Sequence, residues 1–366
     1  MTGRRHHRAT STTRRRGELT RRRLLGSSIS AAVALSAPAI LLAGRAKAAR
    51  QVVIALWGGS FSDNFKAAYL DPFAAETDIE VVLVGPPDLA KVRAMVRTGN
   101  VEWDLILPLG TWQVGGEKEG LWEPVDYSIV DVSDTAPGAK REFGVGFEVI
   151  SGGICWDEKR NGAAGKHPET WPEFFDPTRF PGRRGLRPRE FETLEIALLG
   201  DGVKPADIYP LDVDRAFRAL DRMKPFITNW IEATQQTISL VQQNECDFTY
   251  TYNGRVYAAR QAGIPISFSP KDHINSMDYL TIVKGAKNKD AAMQLIAFVM
   301  RPERQADFAN RMIYSGTKLK MLDLVKPEIK PFLPDIKDPN GFYIKLDYWT
   351  DNQLVLEKRF KEWLVL

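Results

Sequence analysis

The sequence predicts an α/β protein of two domains, the first built on a mostly parallel sheet covered by helices on both faces. Three observations carry that expectation. At 366 residues the chain is long enough for two cores rather than one. Its 44% hydrophobic and 26% charged content is that of an ordinary globular protein, neither disordered nor stapled by disulfides. From Val52 onward, short apolar runs alternate with helix-periodic segments, an order that calls for parallel crossovers.

Taken in order, Val52-Val53-Ile54-Ala55-Leu56 is an apolar run closed by Trp57-Gly58-Gly59-Ser60, a buried strand breaking into a loop. Ser62, Asp63 and Asn64 then offer caps to an amphipathic helix with Phe65, Ala68, Tyr69 and Phe73 on one face. Glu80 to Val84 is the second strand, Asp88 to Thr98 the second helix and Asp104 to Leu107 the third strand. This order brings the loops Trp57 to Phe61 and Pro108 to Trp112 together at the carboxyl edge of the sheet, where open α/β sheets bind ligands. Trp57, Phe61 and Trp112 would line that edge, with Ser60 and Thr111 from the same loops beside them; otherwise each ring is an ordinary buried aromatic.

Gly144 to Ile150 leads into a second pair of strands, followed by a Pro- and Gly-rich stretch with a short helix within His167 to Pro177. Asp212 to Lys224 and Thr234 to Asn244 carry helical periodicity. Cys246 to Tyr252 is a strand feeding a helix at Gly254 to Ala262, and Asn275 to Val283 returns to strand. Helices follow at Lys289 to Met300, Pro302 to Met312 and about Thr350 to Leu364.

The first 48 residues stand apart. They hold ten Arg, one Lys and one Glu, and no Phe, Tyr or Trp, so they cannot build much core. The run Thr20-Arg21-Arg22-Arg23-Leu24-Leu25, a weakly apolar stretch from Leu24 to Ala43 and the small-x-small triplet Ala46-Lys47-Ala48 read as a twin-arginine-type signal peptide cut near Ala48-Ala49. The alternative is an uncleaved membrane anchor, against which Gly26, Ser27, Ser28, Ser30, Ser36 and Pro38 dilute the apolar run. Without this leader the chain has 39 basic and 45 acidic residues, which removes the basic stripe a nucleic-acid partner would need. The two cysteines, Cys155 and Cys246, sit in apolar runs; two buried thiols is the favoured reading over a single bridge, and neither has metal-ligand spacing.

Several runs carry a family resemblance. Asp104-Leu105-Ile106-Leu107-Pro108 followed by Glu119-Gly120-Leu121-Trp122, the Thr170-Trp171 to Glu173-Phe174 core of the Pro168 to Gly182 stretch, Tyr252-Asn253-Gly254-Arg255, Ala258 to Gly263 with Pro265-Ile266, and Lys284-Gly285-Ala286 leading to Arg301-Pro302-Glu303 resemble the spermidine/putrescine-type extracellular solute-binding proteins of ABC importers. The resemblance spans essentially all of the chain after the leader. It implies a two-lobed type II periplasmic binding fold, each lobe a mostly parallel sheet flanked by helices, with the ligand cleft between them. Crossings are then expected near Glu148, His273 to Met277 and Tyr314 to Lys318. One lobe would comprise residues 49–148 and 275–315, the other 149–274 and 316–366. The implied function is capture of a small amine-bearing solute by hinge closure and its delivery to importer permease subunits. An exported periplasmic monomer follows as the default, with no cofactor, no metal and no catalysis.

A cationic amine is best held by carboxylates at nitrogen and aromatic faces along its stem. Candidates are Trp57, Phe61, Trp112, Tyr252, Tyr279 and Trp349 among aromatics, and Asp278, Glu192 and Asp351 among acids. Asp278 lies at an expected crossover, so a hinge role competes with ligand binding. The run Leu186 to Glu192 departs from the polyamine pattern, because Arg189 stands where polyamine binders place a carboxylate. A guanidinium facing the cleft repels a diammonium and accepts a carboxylate, which moves weight toward an amino acid, a short ω-amino acid or an opine. Arg255 would reinforce this if it turns inward; the alternative for both arginines is solvated surface charge. Asn253-Gly254 is either a capping turn or part of an anion site at a helix N-terminus.

Two rival readings stand beside this one. Gly58-Gly59-Ser60-Phe61-Ser62 resembles a nucleophile turn but lacks its final glycine, and a serine hydrolase would depend on His273. A ferric-ion binder on the same fold would draw on Tyr250, Tyr252 and Tyr257, without an adjacent tyrosine pair.

Overall fold

The computed structural model describes residues 50–338 and 341–366. The expected export leader and its cleavage site lie outside them. Among the described residues the strands are β1 (Gln51–Ala55), β2 (Glu80–Val84), β3 (Leu105–Ile106), β4 (Lys140–Arg141), β5 (Gly144–Asp157), β6 (Arg184–Leu186), β7 (Ile227–Trp230), β8 (Phe248–Tyr252), β9 (Ile266–Phe268), β10 (Ile274–Ile282), β11 (Ser315–Gly316) and β12 (Phe342–Tyr343). Their main order is β2-β1-β3-β10-β5-β8-β6-β7.

The two flanks, β2-β1-β3 and β8-β6-β7, are parallel, as the alternation of strand and helix requires. Between them β10 and β5 run antiparallel to each other and to their outer neighbours. The sequence reading has Gly144 to Ile150 leading into a second pair of strands, yet β5 runs through Gly152-Gly153 as one strand of 14 residues, paired with β10 and β8. The glycines mark close approaches rather than a break. A Cβ at Gly152 would lie 2.1 Å from the Tyr250 hydroxyl, and one at Gly153 would lie 2.9 Å from Phe268 Cζ.

Each flank has its own core. Val52, Ile54, Phe65, Tyr69 and Phe73 pack with Leu280, Ile282, Phe298 and Phe308 on one side. Trp156, Trp171, Phe174, Leu194, Phe217 and Phe248 pack with Trp349 and Phe360 on the other. The apolar face expected after β1 is buried throughout, although its helix starts at Gly59 and passes through a π-helical turn at Lys66–Leu70. The caps expected at Ser62, Asp63 and Asn64 are not used, since that helix begins behind Gly58 without a side-chain cap; other helices are capped by side chains. Asp88 accepts from the Lys91 N–H, Asp212 accepts from the Arg215 N–H, and Thr170 with Glu173 forms a capping box over Trp171–Phe174. The last helix, Leu346–Leu364, begins four residues before the expected start, which brings Trp349 onto its buried face. Cys155 and Cys246 are both buried and free, and burial pushes the Cys155 thiol up to about 12. No helix among the described residues is long and apolar enough to cross a membrane.

Because Tyr250 is fully buried, it cannot yield to a methyl group at position 152. Gly152→Ala is therefore expected to destabilise the protein by about 1–3 kcal/mol through overpacking, despite the better strand propensity of alanine. A urea titration reading the unfolding midpoint checks this; an unchanged or raised midpoint would contradict the packing.

Candidate functional site

A cavity of about 700 Å³ opens where the carboxyl ends of the strands from both flanks converge. Ser60 and Asn64 reach it from the helix after β1. Arg189, Phe191 and Glu192 come from the segment after β6, Thr234 follows β7, and Tyr252, Gly254 and Arg255 mark the step from β8 into the helix Asn253–Gln261. The floor is formed by Ile150 of β5 and Ser276 of β10, which are paired neighbours. Arg311, Met312, Ile313 and Tyr314 close the remaining side.

The wall between β6 and β8 is organised around one guanidinium. Arg189 Nη2 donates to the Tyr252 hydroxyl at 2.6 Å and to Glu192 Oε2. Tyr252 in turn donates to the Glu192 carboxylate, 3.0 Å from both oxygens. Burial works against the Arg189 charge, but Glu192 and Tyr252 together hold it above the ordinary arginine value. Arg189 Nε is buried and has no hydrogen-bond partner. One edge of the fork is therefore tied to the wall while Nε is left unmatched. Glu192 is buried and adopts φ 69°, ψ −44°, a sparsely populated conformation for a residue with a side chain. This kink delays the regular helix to Thr193, whose hydroxyl donates to the Arg187 carbonyl at 3.0 Å. Arg187 lies behind the wall; burial, then Arg189, lowers its pKa, and its Nε also lacks a partner.

The floor carries the opposite charge. Asp278 and Glu148 are cross-strand neighbours, one pleat beyond the pair Ser276 and Ile150 and on the same face of the strands. Burial raises the Asp278 carboxyl to about 6. Burial, then the nearby Asp278, raises Glu148 well above the carboxylate range. Tyr314, which borders the cavity, is raised to about 12 by burial and by these two acids.

Five residues named from the sequence therefore meet on one cavity: Ser60, Arg189, Glu192, Tyr252 and Arg255. The others lie elsewhere. Trp57, 37% exposed, faces Trp112 at 5.7 Å between ring centroids, so the two loops do meet, but Trp112 lines a separate groove with Asp88 and Trp103. Phe61 packs on Phe65 and Phe308 in the core. Thr111 offers its carbonyl to the Thr350 hydroxyl. Asn253 is fully buried, and its amide donates to the Ile313 and Phe332 carbonyls, a strut for the strand-to-helix step. Its Oδ1 takes the Gly254 N–H at 3.0 Å. Tyr279 donates to the Gly138 carbonyl, and Asp351 pairs with Lys118 on the surface. Trp349 is fully buried and donates to Glu195 at 2.6 Å.

Thr234, Ser276 and Tyr314 were missed, as was Glu148 beneath them. The strand register would have found Ser276 and Glu148, since each is opposite a residue of the partner crossing strand. Neither rival is supported by the geometry. Ser60 lines this cavity, whereas His273 lines a different one, where its ring nitrogen donates to the Ser269 carbonyl at 2.7 Å. Of the tyrosines expected around iron, Tyr252 is engaged with Glu192 and Tyr250 is buried in the core.

Residues 68–334 match the family model described as bacterial extracellular solute-binding protein. The chain belongs to that family. It is similar to the gamma-aminobutyric acid-binding protein of Pseudomonas aeruginosa, at 32% identity over 340 residues, covering 90% of this chain and 95% of the relative. It is also similar to the spermidine/putrescine-binding periplasmic protein of Escherichia coli, at 26% identity over 278 residues, 73% of this chain and 79% of the relative. A solved structure described as a GABA receptor superposes with a TM-score of 0.75 at 33% identity, covering 86% of this chain and 97% of that one. The fold is thus the two-lobed periplasmic binding type, and the chain is the substrate-binding component of an ABC importer. Such proteins hold small solutes and present them to a membrane permease.

One buried acid near the site gives a pH test of the structure. Glu195 accepts from Trp349 and from Tyr209, and burial raises it to about 7. A raised carboxyl contributes stability that is full below its unfolded value and is lost as pH rises through 7. Wild-type stability is expected to fall between about pH 5 and 8 by a few kcal/mol on this account, and Glu195→Gln to flatten that slope. Urea midpoints across this range check it; a slope that survives unchanged in Glu195→Gln would refute it.

Proposed function

We propose that the solute is a zwitterion of the short ω-amino-acid class, with its carboxylate on the arginine wall and its ammonium toward the floor. The observation that carries this reading is a cavity with arginines on one wall and an acid pair one pleat beyond its floor. Arg189 and Arg255 stand on the β6–β8 side, and the acid pair Asp278 and Glu148 adjoins the crossing strands. A carboxylate can use the exposed part of the Arg189 guanidinium, the Arg255 head and the amino end of the helix Asn253–Gln261. A diammonium would put one of its charges against the arginines. The 32% identity with a gamma-aminobutyric acid-binding protein, against 26% with a polyamine binder, points the same way.

The lobes in this reading comprise 49–148 with 275–315, and 149–274 with 316–366, a division that follows the two parallel flanks of the sheet. Ligand joins Ser60 and Asn64 of one lobe to Arg189 and Tyr252 of the other, so it favours closure by the contacts available only in the closed form. The solute leaves chemically unchanged, handed to permease subunits. The protein acts as a periplasmic monomer after twin-arginine export and removal of the leader near Ala48-Ala49, a reading that rests on the arginine-rich start and small-residue triplet of the sequence.

Calorimetry with γ-aminobutyrate, putrescine and an opine tests the ligand class, with γ-aminobutyrate expected to bind tighter than putrescine. Each charge-assisted hydrogen bond contributes about 1.5–3 kcal/mol, so Arg189→Ala is expected to weaken γ-aminobutyrate by about 10- to 150-fold. The same change releases the Glu192 carboxylate, so putrescine binding is expected to hold or tighten. Equal losses for both ligands would remove Arg189 from the site, and tighter putrescine binding by the unmutated protein would overturn the zwitterion reading.

A further inference from the structure

Beneath the floor of the cavity lies a group that ligand contacts alone do not explain. Glu148 is fully buried on β5, a strand shared by both lobes, and neither carboxyl oxygen has a hydrogen-bond donor. Its cross-strand neighbour is another acid, Asp278. Glu148 is out of water and the partly exposed Asp278 stands opposite it, so ionising both costs more than sharing one proton between them. Tyr69 faces Glu148 from the π-helical turn after β1, and its fully buried hydroxyl likewise has no partner. The other ionisable groups acting on this cluster are Asp307 on the helix Pro302–Met312, felt at Tyr69, and Tyr314 and Arg255 at the cavity border.

We propose that Glu148 is a specificity-determining residue: the Glu148–Asp278 pair shares one proton when the cleft is empty, and it releases that proton to solvent when the ligand's ammonium takes its place. The exchange balances. The empty pair carries one negative charge; after proton loss it carries two, against the one positive charge of the ammonium. The buried charge is therefore unchanged, and desolvation of the second carboxylate is offset by the cation that arrives with it. The route runs past Ser276, Ile150 and Tyr314, which border both the cavity and the acids. A neutral solute of the same shape could not displace the proton, so Glu148 selects for a cationic group. Burial raises Asp278 to about 6 and pushes Glu148 well above the carboxylate range, the direction a proton-holding pair requires.

This inference rests on the zwitterion reading, and the test separates the two. γ-Aminobutyrate is titrated into the protein at pH 7 in two buffers of different ionisation enthalpy, and the difference in heat gives the protons released per ligand. Close to one proton is expected, with affinity rising up to tenfold per pH unit between about pH 6 and 8. Glu148→Gln keeps the shape and lets an amide donate to Asp278, so it should fold, bind more weakly, and show neither proton release nor the pH slope. Binding without proton release in the unmutated protein, or release retained in Glu148→Gln, overturns the role of Glu148 while leaving the ligand class standing. No binding of γ-aminobutyrate or putrescine overturns both.

Discussion

The structure depends on two strands that lie between the two parallel flanks. β5 and β10 pair antiparallel over their length and carry a parallel sheet on either side. A ligand lying across them meets groups from both lobes at once, while the residues on the strands keep their register whichever way the lobes stand. That geometry divides the chemistry. In the proposed closure, groups on the flanks, such as Ser60 and Arg189, move with the lobes, and groups on the crossing strands, such as Ser276 and Asp278, stay between them. Closure can then be read by a partner as occupancy, because only the flanking contacts change.

The wall opposite the floor is built before ligand arrives. Glu192 accepts from both Arg189 and Tyr252, and its backbone is held at φ 69°, a conformation that costs on the order of 1–3 kcal/mol unless its surroundings impose it. Those surroundings are the Tyr252 hydroxyl on β8 and the guanidinium on the preceding loop. The result is an arginine whose direction is fixed with part of its donor set still open. A preorganised donor loses less freedom when it meets a carboxylate than a mobile surface arginine would.

Much of this was legible in the sequence, and the parts that were not share a physical cause. Local patterns gave the strands of the first lobe, the helix starts at Asp88 and Asp212, and the loops of Trp57 and Trp112, whose rings do meet. The departure at Arg189 was visible as a charge of the wrong sign for a polyamine, and the structure puts that residue on the cavity. The side chains placed elsewhere, Trp349, Tyr279, Phe61 and Asn253, are ones for which burial and ligand contact look alike in sequence. Each is a large or polar group next to a turn, and only its tertiary partner decides. Trp349 turned inward because Glu195, more than 150 positions earlier, accepts its N–H. Glu148 was invisible for the complementary reason. A lone acid in the apolar run Val145 to Ile150 gains meaning only from the acid opposite it, and that pairing is a long-range register.

Under the zwitterion reading, charge accounting separates the solutes this fold can hold. Arg189 is matched by Glu192, and Arg311 by Asp307, which leaves Arg255 and the acid pair as the opposed charges around the cavity. A zwitterion meets both without altering the net charge withdrawn from water. A diamine adds two positive charges to a space whose wall already presents arginines, and it can satisfy only one of them at the floor. Removing charge from water is costly unless it is matched in place, so the mismatch acts against the diamine even where its size fits. Discrimination in this cleft therefore comes less from shape than from the side on which each charge is laid.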